Sequence, residues 1–186
     1  MLLLFIEGLT GTENVSFEKI CGIFFASIVI PYFLSSLVRL TGFRDGKYIV
    51  LLPILGAFTS DVFALLVGKA IGKHKLCPEI SPNKTVEGSI GGVVMAPVIL
   101  IIYSIVLQNV YGFTVNYFYI ILYGIASAFA GQLGDLSMSF VKRQFHIKDF
   151  GNIIPGHGGI LDRFDSILFS APLIELLVIL LPAIVR

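Results

Sequence analysis

The sequence predicts an all-α integral membrane protein, a bundle of about five transmembrane helices with its polar site at the cytoplasmic face. Composition is the first reason. The chain has 186 residues, of which 56% are hydrophobic and 13% charged, whereas a soluble domain covers its surface with about 25% charged residues. Apolar runs are the second: five stretches, 20–40, 49–71, 89–110, 117–141 and 160–185, reach the roughly 20 residues a helix needs to cross a bilayer core. The third is the gathering of polar residues into two connections, 72–88 and 142–159.

Each element follows in order. The apolar opening, residues 1–6, is too short to span. It lacks a basic region and a small-residue cleavage site, so it is not read as a signal peptide and is expected to be the remnant of a longer hydrophobic segment. Five spans put the N-terminus and the second and fourth connections on one side. That side collects Lys19, Lys69, Lys73, Lys75, Lys84, Lys142, Arg143, Lys148 and Arg163, nine basic residues against four on the other side, Arg39, Arg44, Lys47 and Arg186. The basic side is expected to be cytoplasmic. The third connection, 109–116, carries no charge and reads as a plain outer turn. No repeat or linker divides the chain, and the loops are too short to fold alone, so residues 1–186 are read as one transmembrane domain. Cys21 and Cys77 match no metal spacing and read as free thiols. With no Trp, Tyr and Phe are left as interfacial anchors.

Acids inside spans are costly and face a bundle interior or a watery cavity. Asp61 lies near the middle of the second span, Asp135 before the basic end of the fourth, and Asp162, Arg163 and Asp165 at the start of the fifth. Any one of them has a bland explanation as an interhelical pair. As a set they say more, because Asp135 and Asp162 are predicted at the same depth on the same side. Glu175, deeper and without such company, reads as structural. Asp61 stays open between a supporting contact, a substrate contact and an interhelical bond.

The fourth connection suits phosphate chemistry. It runs from Ser139 through Lys142-Arg143, Lys148-Asp149 and Pro155-Gly-His157-Gly158-Gly159 to Asp162-Arg163-Phe-Asp165. Lysine and arginine neutralise phosphoryl oxygens. Glycines let backbone N–H groups approach an anion, and Gly158-Gly159 leads into a helix N-terminus. Two carboxylates plus substrate phosphates commonly hold Mg²⁺, a task open to Asp135 and Asp162. Each signal alone is weak, since a basic juxtamembrane loop is often only the positive-inside bias; their ordered combination is not. His74 and His146 read as ordinary loop histidines. The segment Ser81-Pro-Asn-Lys84-Thr85-Val-Glu87-Gly88-Ser89-Ile-Gly91-Gly92 supports two readings equally: a capped, small-residue helix entry, or a phosphate contact through Ser81, Lys84 and the open helix end.

At these residues the chain resembles the phosphatidate cytidylyltransferase (CDP-diacylglycerol synthase) family. Its long signature is met by Ser139, Lys142, Arg143, Lys148, Asp149, Pro155, His157, Gly158, Gly159, Asp162, Arg163 and Asp165. The Ser81–Gly92 segment resembles a second family motif, and Gln132-Leu-Gly-Asp135 and the stretch 61–75 are also similar. Family members usually carry additional N-terminal spans, so a short or N-terminally truncated member is expected.

The resemblance implies transfer of a cytidylyl group from CTP to phosphatidate, giving CDP-diacylglycerol and pyrophosphate, with Mg²⁺ and often a monovalent cation such as K⁺. It also implies a homodimer among the lipids of an inner or plasma membrane; no nucleic-acid partner is expected. It assigns Asp135 and Asp162 to the metal. On this reading Lys142, Arg143, His157 and Asp162 form the catalytic set, and Ser81, Lys84, Thr85, Ser139, Lys148 and Arg163 bind substrate. Asp149 and Asp165 orient the basic groups. The rival readings are a related CTP-dependent lipid enzyme (CDP-archaeol synthase or polyprenol kinase) and a non-enzymatic scaffold or transporter. No transporter-like repeat is visible, and the acids gather at one face.

Overall fold

The computed structural model describes residues 17–151 and 159–185, without the side chain of Glu18. Its first helical stretch is α1 (Phe17–Phe24), a π-helical turn (Phe25–Val29) and α2 (Ile30–Thr41). Pro31 explains the interruption: it has no N–H for the carbonyl of Ser27, one residue set inside the π turn, and the widened turn absorbs the lost bond. A tight turn follows, with Asp45 in the left-handed region at φ 62° and Gly46 opening the short helix α3 (Gly46–Ile49). A Cβ on Gly46 would meet the carbonyl oxygens of Leu40 and Thr41 at 2.4 Å, so the chain closes this turn with glycine.

Helix α4 (Leu51–Ile71) is followed by an antiparallel hairpin, β1 (Lys75–Cys77) and β2 (Ser81–Thr85), and by α5 (Val86–Tyr111). Thr85 joins hairpin to helix as an N-cap, accepting the Gly88 N–H at 3.2 Å. Gly112 ends α5 with a left-handed φ of 70°. The chain then enters β3 (Thr114–Val115), capped by Asn116 into α6 (Tyr117–Gln144). The last helix is α7 (Leu161–Leu180), and the chain closes with β4 (Ile184–Val185) paired to β3. The connection expected to be a plain turn is thus part of a small two-stranded ladder.

Four stretches among the described residues are long and apolar enough to cross a membrane: Lys19–Thr41, Gly46–Ile71, Val86–Tyr111 and Tyr117–Gln144. The fifth, α7, carries Asp162, Arg163, Asp165 and Glu175 within 20 residues, which sets it apart from the other four. It also stops short of the expected 160–185, because Pro182 biases Leu181 out of helical geometry; Tyr123 donates its hydroxyl to the freed Leu181 carbonyl at 2.7 Å.

The chain is an all-α membrane protein. Helices α4, α5, α6 and α7 pack as the bundle, and α2 leans on α7. One core gathers Leu40, Leu52, Leu100, Ile120, Tyr123 and Ile174. A second joins Ala57 to Ile167 and Ala171. Close approach is bought with small residues: a Cβ on Gly124 would lie 2.4 Å from Pro97 Cα, and one on Gly56 would lie 2.3 Å from Ser127 Oγ. The outward face of α5 is an apolar ridge at helical spacing, Ile90, Val94, Val98 and Ile102, all exposed, as a lipid-facing helix requires. On the inside, Arg39 of α2 forks onto Glu175 of α7, with Nε to Oε1 at 2.5 Å and Nη2 to Oε2 at 2.7 Å. Glu175 is therefore an interhelical pair, as its isolation in the sequence suggests.

Candidate active site

Three elements meet at the end of the bundle where the hairpin lies. Glycines bring them together. A Cβ on Gly68 of α4 would sit 2.8 Å from Thr85 Oγ1, and one on Gly88 of α5 would sit 2.4 Å from the Ala64 carbonyl. The hairpin is anchored at its base by Glu87, which accepts the N–H of Lys73 at 3.1 Å and pairs with His74 Nδ1 at 2.6 Å. Lys75 Nζ donates across the hairpin to the Pro82 carbonyl at 2.7 Å. His74 thus stays largely exposed and makes an ordinary hairpin contact.

Behind the hairpin lies a cavity of about 190 Å³. Asp61, Asn83, Lys84, Ser89, Gln132 and Asp135 supply its polar wall; Ala64, Leu65 and Leu76 supply an apolar one. Lys84 reaches from β2 to pair with Asp135 Oδ2 on α6, both side chains one-quarter exposed. Gln132, one turn before Asp135 on the same face, ties three helices: its Nε2 donates to Ser60 Oγ at 2.9 Å and to the Ser89 carbonyl at 3.0 Å, and its Oε1 accepts from Ser89 Oγ. Asp61 faces the same cavity from α4.

A second polar group adjoins the first. Lys142, buried near the end of α6, donates to Asp162 Oδ1 at 3.0 Å and lies 3.9 Å from Asp165 Oδ2. Asp162 Oδ2 accepts the backbone N–H groups of Phe150 and Gly159, both at 2.9 Å. A Cβ on Gly159 would lie 2.9 Å from Gly151 N and 3.2 Å from Asp162 Oδ2, so the two ends of the loop meet here only because this residue is glycine. Both groups hang on α6, where Asp135 and Lys142 are seven residues apart and so share one face.

The sequence-predicted residues are therefore distributed as follows. Lys84, Thr85 and Asp135 line the cavity, and Lys142 and Asp162 form the adjoining pair. Ser81 opens β2 and is half-buried, and Ser139 lies half-buried one turn before Lys142. Arg143, Lys148 and Arg163 are exposed around the α6–α7 connection. His157, with Pro155 and Gly158, lies outside the described residues. Sequence reasoning passed over Gln132, Ser89 and Asn83 as site residues. For Gln132 the spacing to Asp135 was an available signal; for Asn83 there was none beyond its neighbour Lys84.

The expected metal carboxylates, Asp135 and Asp162, are held in separate ion pairs rather than face to face. Among the described residues no group of three or more His, Cys, Asp or Glu is arranged to hold a metal ion. All-oxygen donors of this kind still fit Mg²⁺, which is commonly bound by one or two carboxylates with phosphates and water completing its shell. The donor set fits a cation that arrives with phosphate, not a closed protein cage.

Comparison with known proteins supplies the remaining evidence. A model of the cytidylyltransferase family matches residues 1–181. The chain is 50% identical over 123 residues to a phosphatidate cytidylyltransferase of Bacillus subtilis (strain 168), covering 66% of this chain and 44% of that protein. It is 46% identical over 135 residues to one from Staphylococcus haemolyticus (strain JCSC1435), covering 73% and 50%. A third, from Rickettsia bellii (strain RML369-C), is 37% identical over 178 residues, covering 94% and 76%. The chain thus spans about half the length of the first two relatives.

Proposed function

We propose that this chain, which belongs to the cytidylyltransferase family, transfers a cytidylyl group from CTP to phosphatidate, releasing pyrophosphate and leaving CDP-diacylglycerol in the membrane. The observation that carries the reading is the placement of two lysine–carboxylate pairs, Lys84–Asp135 and Lys142–Asp162, along one face of α6 at one end of a membrane bundle. A soluble polyphosphate and a lipid phosphate need such a place: lined with lysines and with carboxylates able to share a cation, partly enclosed, and at the edge of the bilayer.

A phosphate oxygen of the lipid attacks the α-phosphorus of CTP, and the bond from that phosphorus to the bridging oxygen breaks as pyrophosphate leaves. The second pKa of a phosphate monoester is about 6, so the nucleophile is already ionised and needs no general base. The protein's share is positioning and charge neutralisation. Lys84 and Lys142 face the reacting phosphates, with Lys142 held in place by Asp162. Arg143, Lys148 and Arg163 draw the polyphosphate to the α6–α7 connection, and Ser81 and Ser139 donate to phosphate oxygens. Thr85 holds the hairpin on α5 and so aims Lys84. His157 is assigned to protonate the departing pyrophosphate. Mg²⁺ on Asp135 and Asp162, with a monovalent cation such as K⁺, would supply further charge neutralisation on the polyphosphate. The site faces the cytoplasm, where CTP is found, and the working form is a homodimer.

The test is turnover by the purified chain in lipid nanodiscs with labelled CTP, phosphatidate and Mg²⁺. CDP-diacylglycerol and pyrophosphate are expected in equal amounts, and Lys84→Ala or Lys142→Ala abolishes both. Release of CDP with a polyprenol acceptor would replace this reading by a kinase. Turnover with an archaeol phosphate alone would change the lipid, and no turnover with any lipid would leave a scaffold.

A further inference from the structure

Lys84 Nζ is buried, finds no hydrogen-bond partner of ordinary geometry, and lies against Asp135 Oδ2. It is a cation placed where the reading above puts a divalent cation. We propose that Lys84 is a resident counter-cation. Without phosphate its ammonium occupies Asp135 and keeps divalent cations off that carboxylate. Phosphate in the cavity draws the ammonium away and releases Asp135, so that cation and polyphosphate bind as one unit. This rests on the metal and polyphosphate assignments of the proposed function, and adds an order of events to them.

Three features support it. First, the pair borders a cavity of about 190 Å³, so an ammonium leaving Asp135 has space and an incoming anion has room beside it. Second, the movement needed is that of a side chain. The strand carrying Lys84 is fixed by the Lys75–Pro82 bond, by the Glu87 contacts at its base and by the Thr85 cap.

Third, the neighbouring pair is built differently. Asp162 Oδ2 is tied to two backbone N–H groups that phosphate cannot carry off, whereas the contact recorded for Asp135 is the one to Lys84. Asp135 is therefore the releasable carboxylate. A divalent cation and an ammonium on one carboxylate repel each other strongly in a partly enclosed site. Binding of the cation and withdrawal of Lys84 are then linked, and linkage is reciprocal: phosphate raises cation affinity by the factor by which the cation raises phosphate affinity.

The experiment uses the full chain in phosphatidylcholine nanodiscs, with Mn²⁺ as the probe and free Mn²⁺ read by electron paramagnetic resonance. Wild type is expected to bind Mn²⁺ weakly alone and about tenfold more tightly with inorganic phosphate, within the usual range of such couplings. Lys84→Met is expected to bind Mn²⁺ about tenfold more tightly than wild type without phosphate and to lose the phosphate response. Lys84→Arg keeps the charge and is expected to behave as wild type, while circular dichroism and gel filtration verify that each variant folds. Equal Mn²⁺ affinity of wild type and Lys84→Met without phosphate overturns the proposal and leaves the metal assignment standing. Lys84→Arg matching Lys84→Met also overturns it, because charge would not be the cause. Absence of Mn²⁺ binding by every variant, with or without phosphate, removes the metal assignment and this inference with it.

Discussion

Lys142 Nζ lies 3.0 Å from Asp162 Oδ1, joining the end of α6 to the start of α7 across the 20 positions that separate the two residues. Both side chains are at least nine-tenths buried. The pair is the hinge-pin of the polar end of the bundle: it fixes a buried lysine, and the same carboxylate gathers Phe150 and Gly159 at the neck of the intervening loop.

Removing one partner of a buried pair leaves an uncompensated charge, at a cost of about 3–5 kcal/mol. Asp162→Asn and Lys142→Met are each expected to lower the melting temperature and abolish turnover. The double variant regains most of the stability and none of the activity. The chain has no Trp, so circular dichroism is the suitable probe of unfolding.

Arg39 and Glu175 bind through two parallel hydrogen bonds on the opposite part of α7 from Asp162. Glu175→Ala is expected to lower thermal stability while leaving turnover per folded molecule unchanged. Arg39→Lys falls between wild type and that variant, because an ammonium cannot reproduce the fork. A fall in turnover that outruns the loss of folded protein would move this pair into the catalytic machinery.

Gly124 of α6 touches the backbone of Pro97 on α5. Gly124→Ala must push the two helices apart, an overpacking expected to cost about 1–3 kcal/mol. Thermal unfolding in detergent reads the loss; the same substitution at Gly112, where a Cβ has open space, is strained instead by its φ of 70° and does not disturb the α5–α6 crossing.

Thr85 caps α5 through its hydroxyl and is packed by Gly68, Gly72 and Gly88. Thr85→Val keeps the shape and removes the cap, costing about 1 kcal/mol. Because Lys84 precedes it, the KM for CTP is expected to rise more than kcat falls. Thr85→Ser restores both, as steady-state kinetics on the three proteins will show.

Much of the molecule was legible in one dimension. The spans appear as apolar runs because a bilayer imposes length and hydrophobicity on each helix separately. Glu175 could be recognised as structural from its lack of polar neighbours in sequence. The end of α7 was misjudged by five residues because apolarity continues past Pro182, while helical geometry does not. The hairpin was legible only as a capped helix entry or a phosphate contact, since its ladder is too short to leave an alternating pattern.

The sequence by itself determined that the chain lives in a membrane and that its charged residues gather in the hairpin and the α6–α7 connection. Those properties follow from composition, run length and residue order. Only the tertiary structure decided the partnerships: Lys84 with Asp135, Lys142 with Asp162 and Asp165, and Gln132 with Ser60 and Ser89. Each joins residues on different elements, so its existence depends on how closely the helices approach and at what rotation. That approach is set by Gly68, Gly88 and Gly124 at the crossings, where the absence of a side chain, not the presence of one, brings the charges within reach.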